Sequence, residues 1–145
     1  MKSTLFSLVL LATLALVGCT DSGLNREAHP TTLAGTAWRV VAINGRPPVV
    51  GSEPTAVFGA ADVKGSAGCN SYGGAYAYDA TNGKIAFQNL AMTAMGCVEP
   101  GRGEVEAMFT KAINAATSAS MDPQGRLVLS GPGGEIVLTV DAIPL

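Results

Sequence analysis

GEVEAMFTKAINAAT, residues 103–117, is the segment of this sequence in which apolar residues recur at helical spacing. The apolar positions follow the pattern i, i+3, i+4, i+7, i+8 and i+11, and they are Val105, Met108, Phe109, Ala112, Ile113 and Ala116. Glu104 and Glu106 lie in the first turn and Lys111 lies later, as the helix macrodipole favours. The segment therefore predicts one amphipathic helix that buries a single face.

Strand-like segments flank this helix on both sides, because stretches with β-branched, aromatic or alternating residues are separated by turn residues. The predicted strands cover residues 36–43, 56–58, 62–66, 73–78 and 84–89, with a continuation over 90–97, and then 126–130 and 135–140. The sequence contains no repeat of fixed period and no glycine fingerprint of a nucleotide-binding fold. This order predicts an α+β fold, in which a curved antiparallel β-sheet (half-barrel) packs around the single amphipathic helix.

The composition excludes several classes of function. The 145 residues carry a formal net charge of -2 without a basic cluster, so nucleic acid is not an expected partner. His29 is the only histidine and precedes the predicted domain, which excludes a Ser-His-Asp triad or a histidine-based zinc site within it. No cofactor and no metal are implied. Eight carboxyl groups of the predicted domain could in principle form an acid–base pair, but they are expected at the solvated surface: Asp62, Asp79, Glu99, Glu104, Glu106, Asp122, Glu135 and Asp141.

The N-terminus has the features of an export signal. Lys2 supplies a positive start, and residues 5–17 form an uncharged apolar run that is shorter than the ~18 residues wanted to cross a bilayer. The run ends in LVGC, residues 16–19, which resembles the lipobox of bacterial lipoproteins. This resemblance implies cleavage between Gly18 and Cys19 and the attachment of lipid to the sulfur of Cys19.

Removal of a signal peptide over residues 1–18 would leave the acylated Cys19 at the start of the mature chain. Residues 19–32 contain almost no large apolar side chain, so they predict a flexible tether before a domain over residues 33–145. The membrane is thus an expected partner through the lipid, since more than one acyl chain anchors a protein firmly. The resemblance to Gram-negative lipoproteins also implies an address: Thr20, rather than aspartate, follows the cysteine, which in those proteins favours the outer membrane, with the domain facing the periplasm.

Three motifs resemble those of the META domain family, which includes HslJ-like heat-shock lipoproteins. They are LAGTAW at 33–38, GCNSYGGAY at 68–76 and MTAMGC at 92–97, followed by the helix with Glu106 and Phe109. Glycine in the third motif replaces the alanine that is commoner in the family. The resemblance implies a curved antiparallel sheet around one helix, similar to secretin pilot lipoproteins. It implies no established reaction. It does imply an association with envelope stress and antibiotic tolerance.

Cys69 and Cys97 are the cysteines that remain once Cys19 is acylated. An even pair in an oxidising compartment favours a disulfide, and the META resemblance points the same way. The alternative is a reactive or metal-binding pair of thiols, which would need further ligands that the domain does not supply as histidine.

The predicted binding surface lies near residues 68–76 and includes Asn70, Tyr72 and Tyr76. The alternative for Asn70 is a loop residue in the left-handed region of φ and ψ that bonds its own loop. The alternative for the aromatic residues is packing in the core or across strands.

The expected function is that of a non-enzymatic, lipid-anchored envelope protein, which supports stress or antibiotic tolerance by binding an envelope component or another protein. One alternative is an assembly factor resembling secretin pilots, which would hold a partner peptide or a lipid between sheet and helix. The other is an envelope enzyme that uses a pair of carboxylates, although no nucleophile and base stand together in the motifs.

Overall fold

A barrel of eight antiparallel strands and one helix forms residues 28–140, the part of the chain that the structure, a computed structural model, describes. The strands are β1 (Thr36–Ile43), β2 (Thr55–Phe58), β3 (Asp62–Ser66), β4 (Ser71–Asp79), β5 (Lys84–Met92), β6 (Ser118–Met121), β7 (Leu127–Gly131) and β8 (Gly134–Val140). The helix, α1 (Arg102–Asn114), lies in the connection between β5 and β6. The predicted α+β class, with an antiparallel sheet and one helix, is confirmed.

The sheet closes on itself, so the predicted half-barrel is wrong. β1 pairs with both β2 and β8, and β5 pairs with β6 through Lys84 and Ser118. β6 has only a weak sequence signal, because its four residues SASM include just two apolar ones, Ala119 and Met121, and Ala119 is small. All four pair with β7. Backbone hydrogen bonding, which is independent of side-chain pattern, therefore supplies the strand that closes the barrel.

Local sequence patterns place most elements to within a few residues. β1 and β3 have the predicted bounds, and α1 ends at Asn114 rather than at residue 117. β5 ends at Met92, so the predicted continuation as far as residue 97 is not a strand. Residues 93–97 are held instead by contacts with the β3–β4 connection, which a local pattern does not report.

The connections alternate between the two ends of the barrel, because successive strands run in opposite directions. The helix end carries the connections over residues 44–54, 67–70, 93–117 and 132–133. The hairpin end carries those over residues 59–61, 80–83 and 122–126. α1 lies at the helix end, where it contacts β1, β5, β7 and β8.

The barrel and α1 share one hydrophobic core. Five positions of the predicted apolar stripe are buried and the sixth packs at the edge of the core: Val105, Phe109, Ala112, Ile113, Ala116 and Met108, respectively. The ring of Phe109 lies 5.3 Å from the ring of Tyr72 on β4. Burial of each large side chain of this kind contributes roughly 1.5–3 kcal/mol, so the stripe fixes α1 against the barrel.

Residues 28–30 dock at the hairpin end, although they fall within the stretch predicted as a flexible tether. The backbone N–H of Met121 donates to the Ala28 carbonyl at 2.6 Å, and the Tyr78 hydroxyl donates to the Pro30 carbonyl at 2.6 Å. His29 Nδ1 lies 3.2 Å from the Ala119 carbonyl. The ordered domain thus begins by Ala28, five residues before the predicted start at Leu33.

Replacement of Tyr78 by phenylalanine is expected to lower the free energy of unfolding by about 1 kcal/mol, as for the loss of one hydrogen bond. Urea denaturation of the full chain measures this change. In a chain that begins at residue 33, the same replacement should have no effect, because Pro30 is missing. Tyr76→Phe is the control, since the Tyr76 hydroxyl bonds to Gly59 in both chains. Equal losses from Tyr78→Phe at both chain lengths would contradict the docking.

The predicted signal peptide, the cleavage at Gly18 and Cys19, and the lipidation of Cys19 lie outside the described residues, as do residues 141–145. Within residues 28–140, no helix has the length and hydropathy needed to span a bilayer.

Candidate functional site

A disulfide joins two connections at the helix end. Cys69 lies between β3 and β4, Cys97 lies between β5 and α1, and their Cα atoms are 5.9 Å apart. The predicted pairing is confirmed. Both cysteines are half-buried. The bond fastens the irregular segment before α1 to the barrel.

The side chain of Asn70, next to the disulfide, makes four hydrogen bonds, three to the same segment and one to α1. Its Oδ1 accepts from the Thr93 hydroxyl at 2.8 Å and from the Met95 N–H at 2.7 Å. Its Nδ2 donates to the Met95 carbonyl at 3.1 Å and to Glu106 Oε1 at 3.0 Å. Asn70 is 3% exposed, and its amide is fully used within the protein.

The left-handed conformation proposed as an alternative for Asn70 is wrong. The left-handed residue of this connection is Gly68, with a φ of 109°, and a β-carbon there would lie 2.9 Å from the Ser52 carbonyl oxygen. Within its own loop the Asn70 carbonyl accepts from the Ala67 N–H at 2.7 Å, but the short hydrogen bonds of its side chain go to a different connection and to α1. Its side chain therefore acts over a sequence distance that a local motif does not reveal.

Glu106 completes this group from α1. Its Oε2 accepts from the backbone N–H of Asn70 at 2.6 Å, and its Oε1 lies 4.0 Å from Cys97 Sγ. The carboxylate was expected at the solvated surface, but the residue is half-buried and tied to the β3–β4 connection. Its place in the helical motif of the resemblance is the one signal that the sequence offers. We call Cys69, Asn70, Cys97 and Glu106 the helix-end cluster.

The other predicted binding residues, Tyr72 and Tyr76, are structural in this fold. Tyr72 is 7% exposed and donates to the Thr55 carbonyl at 2.9 Å, and burial raises the pKa of its phenol well above the usual range. Tyr76 donates to the Gly59 carbonyl at 2.9 Å, at the opposite end of the barrel, and its ring meets Phe58 edge-on. The structure does not bring Asn70, Tyr72 and Tyr76 together on one exposed surface.

Exposed apolar side chains lie close to the helix-end cluster. Val50, Val98 and Met95 are 96%, 92% and 63% exposed, and two further residues, Val49 and Met92, are also exposed. We call these five residues the apolar rim. The rim residues lie on the β1–β2 connection, at the end of β5 and on the segment between β5 and α1. The first and last of these segments are in contact, since a β-carbon at Gly101 would lie 3.0 Å from Val49 Cγ1.

The helix-end cluster determines how part of this rim is held. Asn70 bonds both backbone groups of Met95, and the disulfide fixes Cys97, the residue before Val98. The side chains of Met95 and Val98 therefore project into solvent from a backbone that is anchored at two points. Fixed apolar surface of this kind is typical of a protein-binding site.

The groove between α1 and β5 is small. Its cavity of about 30 Å³ is lined by Ala67, Tyr72, Leu90, Ala91, Met92, Phe109, Thr110, Ile113 and Asn114. A volume of this size accommodates about two water molecules rather than a peptide side chain. At this position, between sheet and helix, the groove leaves little room for a partner's side chain.

The carboxyl groups at the hairpin end serve turns. Hydrogen bonds from the Thr81 hydroxyl and backbone lower the pKa of Asp79. For Asp122, partial desolvation acts in the opposite direction, but hydrogen bonds from the backbone and side chain of Arg126 lower its pKa overall. Both groups are therefore anionic at neutral pH and engaged locally, whereas a general acid needs a raised pKa.

The META domain family model matches residues 31–143. Among solved structures, an NMR structure of a protein from Burkholderia xenovorans is similar, with 25% identity and a TM-score of 0.61, covering 77% of this chain and 85% of that one. A second NMR structure has 23% identity and a TM-score of 0.57, covering 73% and 89%. The crystal structure of a DUF4847 family protein from Bacteroides vulgatus has 17% identity and a TM-score of 0.53, covering 77% and 96%. The last two support the fold alone. No curated protein sequence matches the chain.

Proposed function

Because this chain belongs to the META domain family, we propose that it is a lipid-anchored protein of the bacterial cell envelope that acts by binding another envelope protein and not by catalysis. In this proposal, signal cleavage after Gly18 leaves Cys19 acylated, and the barrel is held at the outer membrane on its periplasmic side. The association with envelope stress and antibiotic tolerance follows from the family resemblance.

The apolar rim is the observation that carries the binding role. Apolar surface left in water is unfavourable by roughly 25 cal/mol per Å², so a partner that covers the rim gains this free energy. Two hydrogen bonds from Asn70 hold the backbone of Met95, and the disulfide holds Cys97 next to Val98. Since little further ordering is needed on association, the rim is well suited to binding a partner.

The position of the tether supports an outward-facing rim. Eight residues lie between Cys19 and Ala28, so the nine Cα–Cα steps of the tether reach about 30 Å at full extension. Ala28 docks at the hairpin end through Met121, whereas the rim lies at the helix end. Anchored in this way, the barrel turns its rim away from the membrane and toward proteins of the periplasm.

Site-specific photo-crosslinking in the native envelope tests the binding role. A photoreactive residue at position 98 is expected to capture one discrete protein. The same residue at position 140 is the control, because Val140 is also exposed, at 66%, but lies at the hairpin end. Met95→Asp should reduce the crosslink at position 98 by at least about tenfold, as for a central interface residue.

Met95→Asp should leave the fold intact, because substitutions of exposed residues change stability by about 0.5 kcal/mol or less. Equal crosslinking from positions 98 and 140, or an unchanged crosslink in Met95→Asp, would refute the rim as the binding surface.

Replacement of Cys19 by alanine is expected to block both processing and anchoring. Mass spectrometry of the protein from its host should then find the full precursor, including residues 1–18, without added acyl mass. The unmodified chain should instead begin at Cys19 and carry the lipid. Normal membrane attachment of the Cys19→Ala protein would contradict the proposed anchor.

A further inference from the structure

Three metal-ligating side chains meet in the helix-end cluster. The sulfur atoms of Cys69 and Cys97 and a carboxylate oxygen of Glu106 all lie within 4.8 Å of one another. All three residues are half-buried, so ions in solution can reach them. We propose that reduction of the disulfide converts this group into a binding site for one thiophilic divalent cation, with Zn²⁺ as the reference ion. This proposal rests on the geometry of the cluster and is independent of the proposed partner binding.

The reaction has two steps. A dithiol reductant delivers two electrons and two protons to the S–S bond, which breaks into two thiols while the reductant closes into its own disulfide. Zn²⁺ then displaces both thiol protons into solvent and forms bonds to the two sulfurs at about 2.3 Å and to a Glu106 oxygen at about 2.0–2.2 Å. Water fills the fourth tetrahedral position.

The backbone spacing fits such a site. Tetrahedral Zn–S bonds of about 2.3 Å place the two sulfurs about 3.8 Å apart. The Cα atoms of Cys69 and Cys97 are 5.9 Å apart, which accommodates this separation by rotation of the side chains alone. Two cysteines alone supply only two of the four ligands that Zn²⁺ takes. Glu106, on α1, supplies a third.

Asn70 provides the outer shell that orients metal ligands in proteins. Its Nδ2 lies 3.0 Å from Glu106 Oε1 and 3.7 Å from Cys69 Sγ, and its backbone N–H bonds Glu106 Oε2 at 2.6 Å. The carboxylate is thus already oriented toward the sulfurs. An amide donor beside Cys69 Sγ also favours the thiolate over the thiol.

Zinc titration of the full chain tests the site, with Cys19→Ala introduced so that Cys69 and Cys97 are the only thiols. The protein is first reduced with a dithiol, and the dithiol is then removed under nitrogen. The reduced protein should bind one Zn²⁺ per chain in competition with a chromogenic chelator. The oxidised protein should bind none. Glu106→Gln should weaken binding at least about tenfold. Glu104→Gln is the matched control, because it removes an exposed carboxylate from the same helix, and it should leave the affinity unchanged.

Thermal unfolding of the chain with native Cys69, Cys97 and Glu106 supplies a second readout, because a ligand that binds the folded state raises Tm. Zn²⁺ at about a hundredfold excess over Kd should raise the Tm of the reduced protein by at least about 5 °C and leave the oxidised protein unchanged. Equal affinities of Glu106→Gln and Glu104→Gln would overturn the proposal, since two thiolates of an unfolded chain would also give that result. An unchanged or lowered Tm of the reduced protein would overturn it as well.

Discussion

Replacement of Cys69 by serine is expected to lower the free energy of unfolding by about 3.6 kcal/mol, the loop-closure value for a crosslink that spans 28 residues. Cys97→Ser should give the same loss, because either change opens the same bond. The double variant should be no less stable than the single variants. Since small domains have a net stability of about 5–15 kcal/mol, urea denaturation at neutral pH will resolve the loss clearly.

Reducing buffer provides the control for this prediction. The unmodified domain should then become about as stable as the two variants, whose stability should not depend on the reductant. Additive losses in the double variant, or variants that respond to the reductant, would contradict a bond between Cys69 and Cys97 as the source of the stability.

Replacement of Asn70 by alanine is expected to lower the free energy of unfolding by about 3–4 kcal/mol. The change removes four side-chain hydrogen bonds made by a residue that is 3% exposed, and it leaves the Met95 backbone groups and Glu106 Oε1 without these partners. The same substitution should free the segment that carries Met95 and Val98, and so weaken crosslinking from position 98. Asn114→Ala is the matched control, because Asn114 is exposed and its side chain bonds only within α1, to the Thr110 carbonyl.

The Asn70→Asp variant separates the donor role of the amide from its acceptor role. Aspartate retains the oxygen that accepts from Thr93 and Met95 but places a second negative charge beside Glu106. Burial and this like charge should raise the pKa of the new carboxyl in the folded state above its unfolded value of about 3.9. Its protonated form therefore stabilises the fold below that pH, and this stability is lost as pH rises through the folded pKa.

Urea denaturation between pH 3 and pH 8 measures this effect. The stability gap between Asn70→Asp and the unmodified protein should be narrow at the acidic limit and should widen toward neutral pH. A gap that does not change with pH would show that the carboxyl does not face Glu106 in the folded protein.

Elements with a local signal could be predicted from the sequence. The apolar stripe that includes Val105 and Phe109 identified α1, and alternation with turn residues identified β1 and β3 to the residue. The even pair of cysteines within the predicted domain, together with the META resemblance, favoured the disulfide that the structure shows. In each case the information lies in side-chain type and spacing along the chain, which the periodicity of a helix or strand converts directly into a buried face.

Features without a local signal depended on the tertiary structure. The SASM segment of β6 is short and has no large aliphatic or aromatic residue, and its backbone pairing with β7 and β5 turned an expected half-barrel into a closed barrel. Residues 28–30 also lack a large aliphatic side chain and were expected to be part of a tether, yet Met121 and Tyr78 bind the carbonyl groups of Ala28 and Pro30.

By itself, the sequence determined the α+β class, the single helix and most of the strands, and it favoured the pairing of Cys69 with Cys97. Only the tertiary structure brought Glu106 to Asn70 and the disulfide, which gathered the helix-end cluster beside the apolar rim. Glu106 and Asn70 are 36 residues apart, and no periodicity of helix or strand extends over that distance. Their contact exists because the barrel closes and brings the β3–β4 connection and α1 together at one end.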